Sequence, residues 1–218
     1  MDSKTKQPPT ADELAAKCIK RCDIISGFTE SEGNITRRFL TDPMVPSHET
    51  LRAWLQELNM TVRVDNAGNI IGRRPSGAGG KTLMIGSHID TVLCGGKYDG
   101  LLGVMVALAA VEMIGACDFP VNVDVAGFSE EEGVRFAQPY LGSHAIAGTF
   151  DMTWLDRVDE DGISMRSAIK SFGLNPEEID SASYPQEDLV AFVEPHICLL
   201  YTSPSPRDAT LSRMPSSA

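Results

Sequence analysis

An α/β fold, a mixed sheet flanked by helices, is predicted by three features of the sequence. Apolar runs at Lys81–Gly86, Val121–Phe128 and Leu189–Val193 have the length and composition of strands. Between the first two lies Leu101–Ile114, apolar on almost every side, which fits a helix buried against a sheet. Strand, helix, strand in that order is a crossover unit, and such units build sheets covered by helices. With 42% hydrophobic residues in 218, the chain can also fill the core this architecture needs.

The remaining elements follow in order. Thr10 and Glu13 have capping-box spacing, and Leu14, Cys18, Ile19, Cys22 and Ile25 recur at helical intervals, so a helix is expected over 11–26, closed by Gly27. Ser47 is expected to cap a second helix, which carries Leu51, Trp54, Leu55 and Leu58 on one face and ends near Asn59. Thr61–Val64 and Asn69–Arg73, joined by the turn residues Asp65–Gly68, read as a hairpin. The PSGAGG segment at 75–80 lacks the Lys-Ser or Lys-Thr of a phosphate-binding loop and is expected to be a surface loop. Further on, Gly142–Gly148 reads as a helical turn and Ser164–Phe172 as a helix stopped by Gly173, while Asn175-Pro176 opens another. No internal repeat is present.

Composition removes several function classes. A net charge of -11 opposes a nucleic-acid groove, which needs clustered cations to replace counterions around phosphate. The doublets Arg37-Arg38 and Arg73-Arg74 are too short for that role and read as solvated faces. The opening MDSKTKQPPT has no apolar core of a signal peptide, and no run approaches 18 apolar residues, so a soluble, cytoplasmic protein without a membrane partner is expected. Five cysteines, an odd number, point to free thiols. Cys18 and Cys22 read as small buried apolar residues, and Cys94 has no histidine beside it to activate it as a nucleophile.

The chemistry-bearing residues gather after strand ends. His88 and Asp90, two apart in an extended segment, point the same way, so Asp90 can orient the imidazole or bind a metal itself. Asp99 stands between glycines just before the buried helix, where it is either a metal ligand or the helix N-cap. Glu130, Glu131 and Glu132 follow an apolar strand. Three adjacent acids there are either a solvated loop or a metal-binding cluster, and a divalent cation offsets their repulsion while leaving one free to carry protons. His196, after the last strand, can complete an imidazole and carboxylate set of the kind zinc prefers and manganese accepts. His48 and His144 default to surface residues or substrate contacts.

The blocks GSHIDTVLCGGKYDGLLGV, SEEEGVRF, PYLGSHAIAGTF and FVEPHI resemble the dinuclear metal-dependent amidohydrolases, the group of allantoate amidohydrolase, N-carbamoyl-L-amino-acid hydrolase and β-ureidopropionase, related to aminoacylase-type metallopeptidases. The likeness runs from about Cys18 to Ile197, and RCDIISGFTESEGNITRRFL is similar to the allantoate and carbamoyl branch. It implies a metallopeptidase-like catalytic domain holding two divalent ions, zinc or manganese. His88, Glu132 and His196 would each bind a metal and Asp99 would bridge the two. Asp90 would orient His88, and Glu131 would be the general base, taking a proton from a bridging water and passing it to the departing nitrogen. The implied substrate is a small linear ureido compound, allantoate first and N-carbamoyl amino acids second.

In that family the segment matching Glu194–Ile197 continues with Glu-Gln-Gly into a lid or dimerisation domain, which returns with a further metal-binding histidine. Here the sequence runs CLLYTSPSPRDATLSRMPSSA, rich in serine and proline and without apolar period. The expected organisation is therefore a catalytic-domain portion at 1–198, truncated before the lid, and a disordered, non-native tail at 199–218. The homodimer and the turnover are expected of the full-length parent, with little activity in this chain alone. The rival readings are a metal-binding module without catalysis and a peptidase or aminoacylase.

Overall fold

The computed structural model of the chain describes residues 9–197, apart from 78, 116 and 118. The tail at 199–218 lies outside the described residues. Five strands, β1 (Thr61–Val64), β2 (Ile70–Arg74), β3 (Thr82–His88), β4 (Asn122–Phe128) and β5 (Leu189–Val193), form one mixed sheet in the order β1-β2-β4-β3-β5. The first two are the expected hairpin. The Asp65 carboxylate closes its turn by accepting the Ala67 and Asn69 amides, each at 3.0 Å, and Gly68 takes a φ of +84°. β2 runs antiparallel to β4, while β3 lies parallel between β4 and β5. The three parallel strands therefore release their C-terminal ends side by side, the place where open α/β sheets present ligand-binding groups.

Helices α1 (Ala11–Ser26), α2 (Met44–Glu57) and α3 (Leu101–Ile114) cover one face of the sheet. The Thr10–Glu13 capping box forms as read, and the cap falls at Gly27. Cys18, Cys22, Met105, Leu108, Val123 and Val125 interlock there in a single core, and each fully buried side chain of Leu or Met size contributes about 1.5–3 kcal/mol. β3, α3 and β4 make the predicted crossover. Ile71, Met84, Ala126 and Phe128 line the opposite face and are covered by Ile146 of α4 (Leu141–Ile146) with Tyr184 and Leu189. A third cluster ties α4 to α5 (Met165–Ser171) through Leu141, Leu155, Met165, Ile169 and Ile179. Asn175 caps a 3-10 helix, Pro176–Ala182, rather than an α-helix, and that helix kinks at Glu178.

Three expectations need correction. Ser47 does not cap α2: the helix starts at Met44, and the Ser47 hydroxyl donates back to the Pro43 carbonyl at 2.8 Å. Arg37 is not a solvated charge but is 1% exposed, with its guanidinium donating to the carbonyls of Ile89, Ile25 and Phe28. Burial pulls its pKa down to about 10. His48 is buried rather than at the surface, packed edge-on to Phe172 with 5.4 Å between ring centroids.

Candidate metal centre

β3 continues two residues beyond its predicted end, so His88 is its last residue, paired in register with Phe128. The ring is 1% exposed. Its Nδ1 lies 3.1 Å from the Asp90 carbonyl oxygen and 3.3 Å from Asp90 Oδ1. That contact places a proton on Nδ1 and turns Nε2 toward the cleft, the orientation a metal-binding imidazole requires. Asp90 does more than orient the ring. Its two carboxylate oxygens accept the backbone N–H groups of Glu131 at 3.0 Å and Glu132 at 3.1 Å, so one side chain fixes both the histidine and the acidic segment after β4.

Around Nε2 the expected residues converge. His196 Nε2 is 3.2 Å away, Asp99 Oδ1 3.7 Å and Glu131 Oε2 4.0 Å, and His196 Nε2 stands 3.5 Å from Asp99 Oδ1. Two sets of donor atoms form, His88 with Asp99 and His196, and His88 with Glu131 and Glu132, and within each set the atoms lie no more than 4.8 Å apart. His88 is common to both, while Asp99 falls in the first and Glu132 in the second. The N-cap alternative for Asp99 does not hold, because Gly100 occupies that position and no side chain caps α3.

These residues form a candidate cation site. Asp99 Oδ1 is buried and makes no hydrogen bond among the described residues, a costly arrangement unless a positive partner stands by it. Gly100, at a φ of +62°, lets the chain pass against His88, where an added Cβ would overlap the ring at Nε2. The donor set is oxygen and imidazole nitrogen, suited to a divalent metal.

The charges respond to this crowding. For His88, burial alone lowers the pKa, but the contacts with the Asp90 and Asp99 carboxylates and the charges of Asp90 and Glu131 outweigh it and carry the group up to about 11. The His88 contact, opposed by burial, holds Asp99 below the usual carboxylate range. Burial raises Glu131, and burial with the neighbouring acids pushes Glu132 up to about 7, against the pull of His88.

The acidic triplet divides. Glu131 and Glu132 are half-buried and face the cleft, whereas Glu130 is 1% exposed, and neither of its oxygens makes a hydrogen bond of full geometry among the described residues. Burial and the Asp90 charge raise Glu130 well above its normal value, with the Arg135 and Phe39 amides offsetting only part of this. His144 lies on α4, half-buried, its Nδ1 2.8 Å from Thr149 Oγ1.

Sequence reading missed the residues that hold this arrangement from behind. Asn69, wholly buried, donates to Asp65 Oδ2 at 2.8 Å and to the Gly142 carbonyl at 3.0 Å, and accepts the Ser129 amide at 3.1 Å. It thereby ties the hairpin turn, α4 and the start of the acidic segment together. A polar residue immediately before an apolar strand was its one signal. Ser87, also wholly buried, donates to Glu194 Oε1 at 2.9 Å.

No family model matches the chain. It is 32% identical over 193 residues to an allantoate deiminase of Arabidopsis thaliana, covering 84% of this chain and 36% of the relative. With an N-carbamoyl-L-amino-acid amidohydrolase of Paenarthrobacter aurescens the identity is 40% over 189 residues, covering 84% of this chain and 45% of the relative. Among solved structures, AtUAH in complex with glyoxylate superposes with a TM-score of 0.77 at 28% identity, over 84% of this chain and 46% of that one. A hydantoinase/carbamoylase family amidase from Burkholderia ambifaria gives 0.73 at 27%, over 84% and 44%. The chain thus spans less than half the length of these relatives. Over that span it is a homologue of the allantoate deiminases and N-carbamoyl-L-amino-acid amidohydrolases and shares the fold of the hydantoinase/carbamoylase family amidases.

Proposed function

We propose that the cleft at the ends of β3, β4 and β5 is the metal centre of an amidohydrolase acting on linear ureido C–N bonds. The observation that carries this reading is the convergence of His88, Asp99, Glu131, Glu132 and His196 around one buried imidazole, with Asp90 behind it. His88, Asp99, Glu132 and His196 would hold two divalent ions, zinc or manganese. Bound there, such ions would supply a lowered water pKa and polarisation of the ureido carbonyl.

The remaining work falls to the chain's own side chains. Asp90 keeps the Nδ1 proton of His88 in place and pins the Glu131 and Glu132 amides, so the ligands and the proton carrier move as one unit. Glu131 is the proton carrier. Its backbone is held from both sides, its amide by Asp90 and its carbonyl by the Tyr140 amide at 3.1 Å, while its carboxylate faces the cleft. Burial has already raised its pKa, which favours taking a proton and giving it back. It accepts the proton of a water attacking the ureido carbon and delivers it to the leaving nitrogen. A C–O bond forms, the C–N bond breaks, and Glu131 ends ionised again.

Allantoate is the first substrate, on the likeness of residues 21–40 to the allantoate and carbamoyl branch. N-carbamoyl-L-amino acids are the second, favoured by the 40% identity to the Paenarthrobacter relative. The net charge of -11 speaks against a nucleic-acid partner. No helix among the described residues is long and apolar enough to cross a membrane. The test is ammonia release from each substrate by protein reconstituted with zinc or manganese, with Glu131→Gln as the control. Turnover lost in that variant with metal content retained supports the reading. Tight metal binding without turnover on either substrate, in a chain shown to be complete, would favour a binding module, and release of amino acids from dipeptides or acylated amino acids would favour a peptidase or aminoacylase.

A further inference from the structure

His196 is the weakly anchored member of the constellation. His88 ends a central strand and is enclosed, whereas the His196 side chain is 36% exposed and lies three residues beyond β5. The β3–β5 register stops at Ile85 opposite Val193, so Glu194, Pro195 and His196 have left the sheet and its ladder no longer sets their course. Two contacts take over from the ladder. The Ser87 hydroxyl, wholly buried, donates to Glu194 Oε1 at 2.9 Å, the charge-assisted kind of hydrogen bond. Gly103, in the first turn of α3, comes so close to the Pro195 carbonyl that an added Cβ would overlap it and crowd Ser87 Cβ as well. Ser87 immediately precedes His88, and Glu194 lies two residues before His196. The hydrogen bond therefore joins the two histidine-bearing segments one step behind the rings.

We infer that Glu194, acting through Ser87, is a positioning residue that seats His196 opposite His88. The inference rests on the reading of this cleft as a metal site and adds to it the device that completes one donor set. The carboxylate need not touch a metal or a substrate: its role is to fix the direction in which the chain leaves β5. An acceptor oxygen suffices for that role, so a glutamine at 194 can fill it and an alanine cannot.

The test uses the full chain, cobalt(II) alone as probe, and two readouts, the binding constant and the visible absorption spectrum, which reports the ligand set. Ser87→Ala and Glu194→Ala are each expected to weaken cobalt binding about 10-fold or more and to change the spectrum, in line with the usual effect of residues that orient ligands. The double variant is expected to be no worse than either single one, since both remove the same bond. Glu194→Gln is expected to match the parent. Alanine variants indistinguishable from the parent, with binding lost in His88→Ala, would overturn the positioning role and leave the metal site standing. Glu194→Gln as impaired as Glu194→Ala would also overturn it, because charge and not the hydrogen bond would then be responsible. Failure of the parent chain to bind cobalt would remove the metal reading and this inference together.

Discussion

His88 and His48 are buried to nearly the same degree, 1% and 5% exposed, and their surroundings give them opposite characters. His88 ends a strand amid Asp90, Asp99 and Glu131, whose contacts and charges outweigh the effect of burial and raise its pKa to about 11. His48 sits on α2 against Phe172, with both ring nitrogens lacking partners among the described residues, and burial with the nearby Arg52 charge drives it down to about 4. Burial alone thus says little about a histidine's work. What distinguishes the site is acids placed by separate elements: Asp90 after β3, Asp99 before α3 and Glu131 after β4. His48 is a core residue that happens to carry two nitrogens.

The sharpest way to break this comparison is to delete each ring. His88→Ala is expected to lower divalent-metal affinity by about 100-fold or more, taking the usual effect of losing a residue that merely orients a ligand as a lower bound. His48→Leu is expected to bind metal as the parent does. Calorimetric titration with zinc would show both, and equal losses would erase the distinction.

Next in size is Asp90→Asn, which keeps the shape but leaves one oxygen to serve two amides and the imidazole. Metal affinity is expected to fall about 10- to 100-fold, with stability down by about 1–3 kcal/mol from the unpaired amide.

The third prediction concerns pH. A folded pKa of about 4 for His48 lies below its ordinary value of 6.5, so between these values the unfolded chain takes up a proton that the folded chain refuses. The stability contributed by a neutral His48 is present above pH 6.5 and is lost as pH falls through 4, amounting to about 3 kcal/mol. Glu130, raised well above its usual value, acts in the opposite sense, favouring the folded state at lower pH. The difference between the parent and His48→Leu in urea melts at pH 7 and pH 4 isolates the histidine. A difference that does not change with pH would contradict its burial in neutral form.

The smallest effect is expected at Lys97, paired with Asp23 at the surface with side chains 39% and 51% exposed. Lys97→Ala is expected to leave stability nearly unchanged, and the small effect is expected to shrink further in salt. A larger loss in the same urea melts would mean that charges in water matter here as much as those in the cleft.

Much of this was legible in the sequence, for identifiable reasons. Periodicity and capping are local, so α1, the limits of α3, the hairpin and the strand-helix-strand crossover could be read directly. The ligand candidates were legible because acids and histidines directly after apolar runs are conspicuous. The errors arose where the deciding partner is distant in sequence. Arg37 resembles a surface charge beside Arg38, yet the carbonyls that hold it come from Ile25, Phe28 and Ile89. Ser47 has the chemistry of a cap, but the chain had already turned helical at Met44, where no side chain announces the start. Glu130 cannot be told from its neighbours by type; only the direction in which the chain leaves β4 separates it. Ser87, Asn69 and Glu194 are ordinary polar residues until the fold brings their partners to them.

The central claim, that the ends of β3, β4 and β5 hold a divalent metal centre built on His88, is tested most directly by crystals of the protein grown with zinc and measured for anomalous scattering. The account predicts an anomalous peak about 2.0–2.1 Å from His88 Nε2 or His196 Nε2, with carboxylate oxygens of Asp99 or Glu132 at about 2.0–2.2 Å. Zinc bound only elsewhere, or no peak at this cleft at saturating metal, would contradict it.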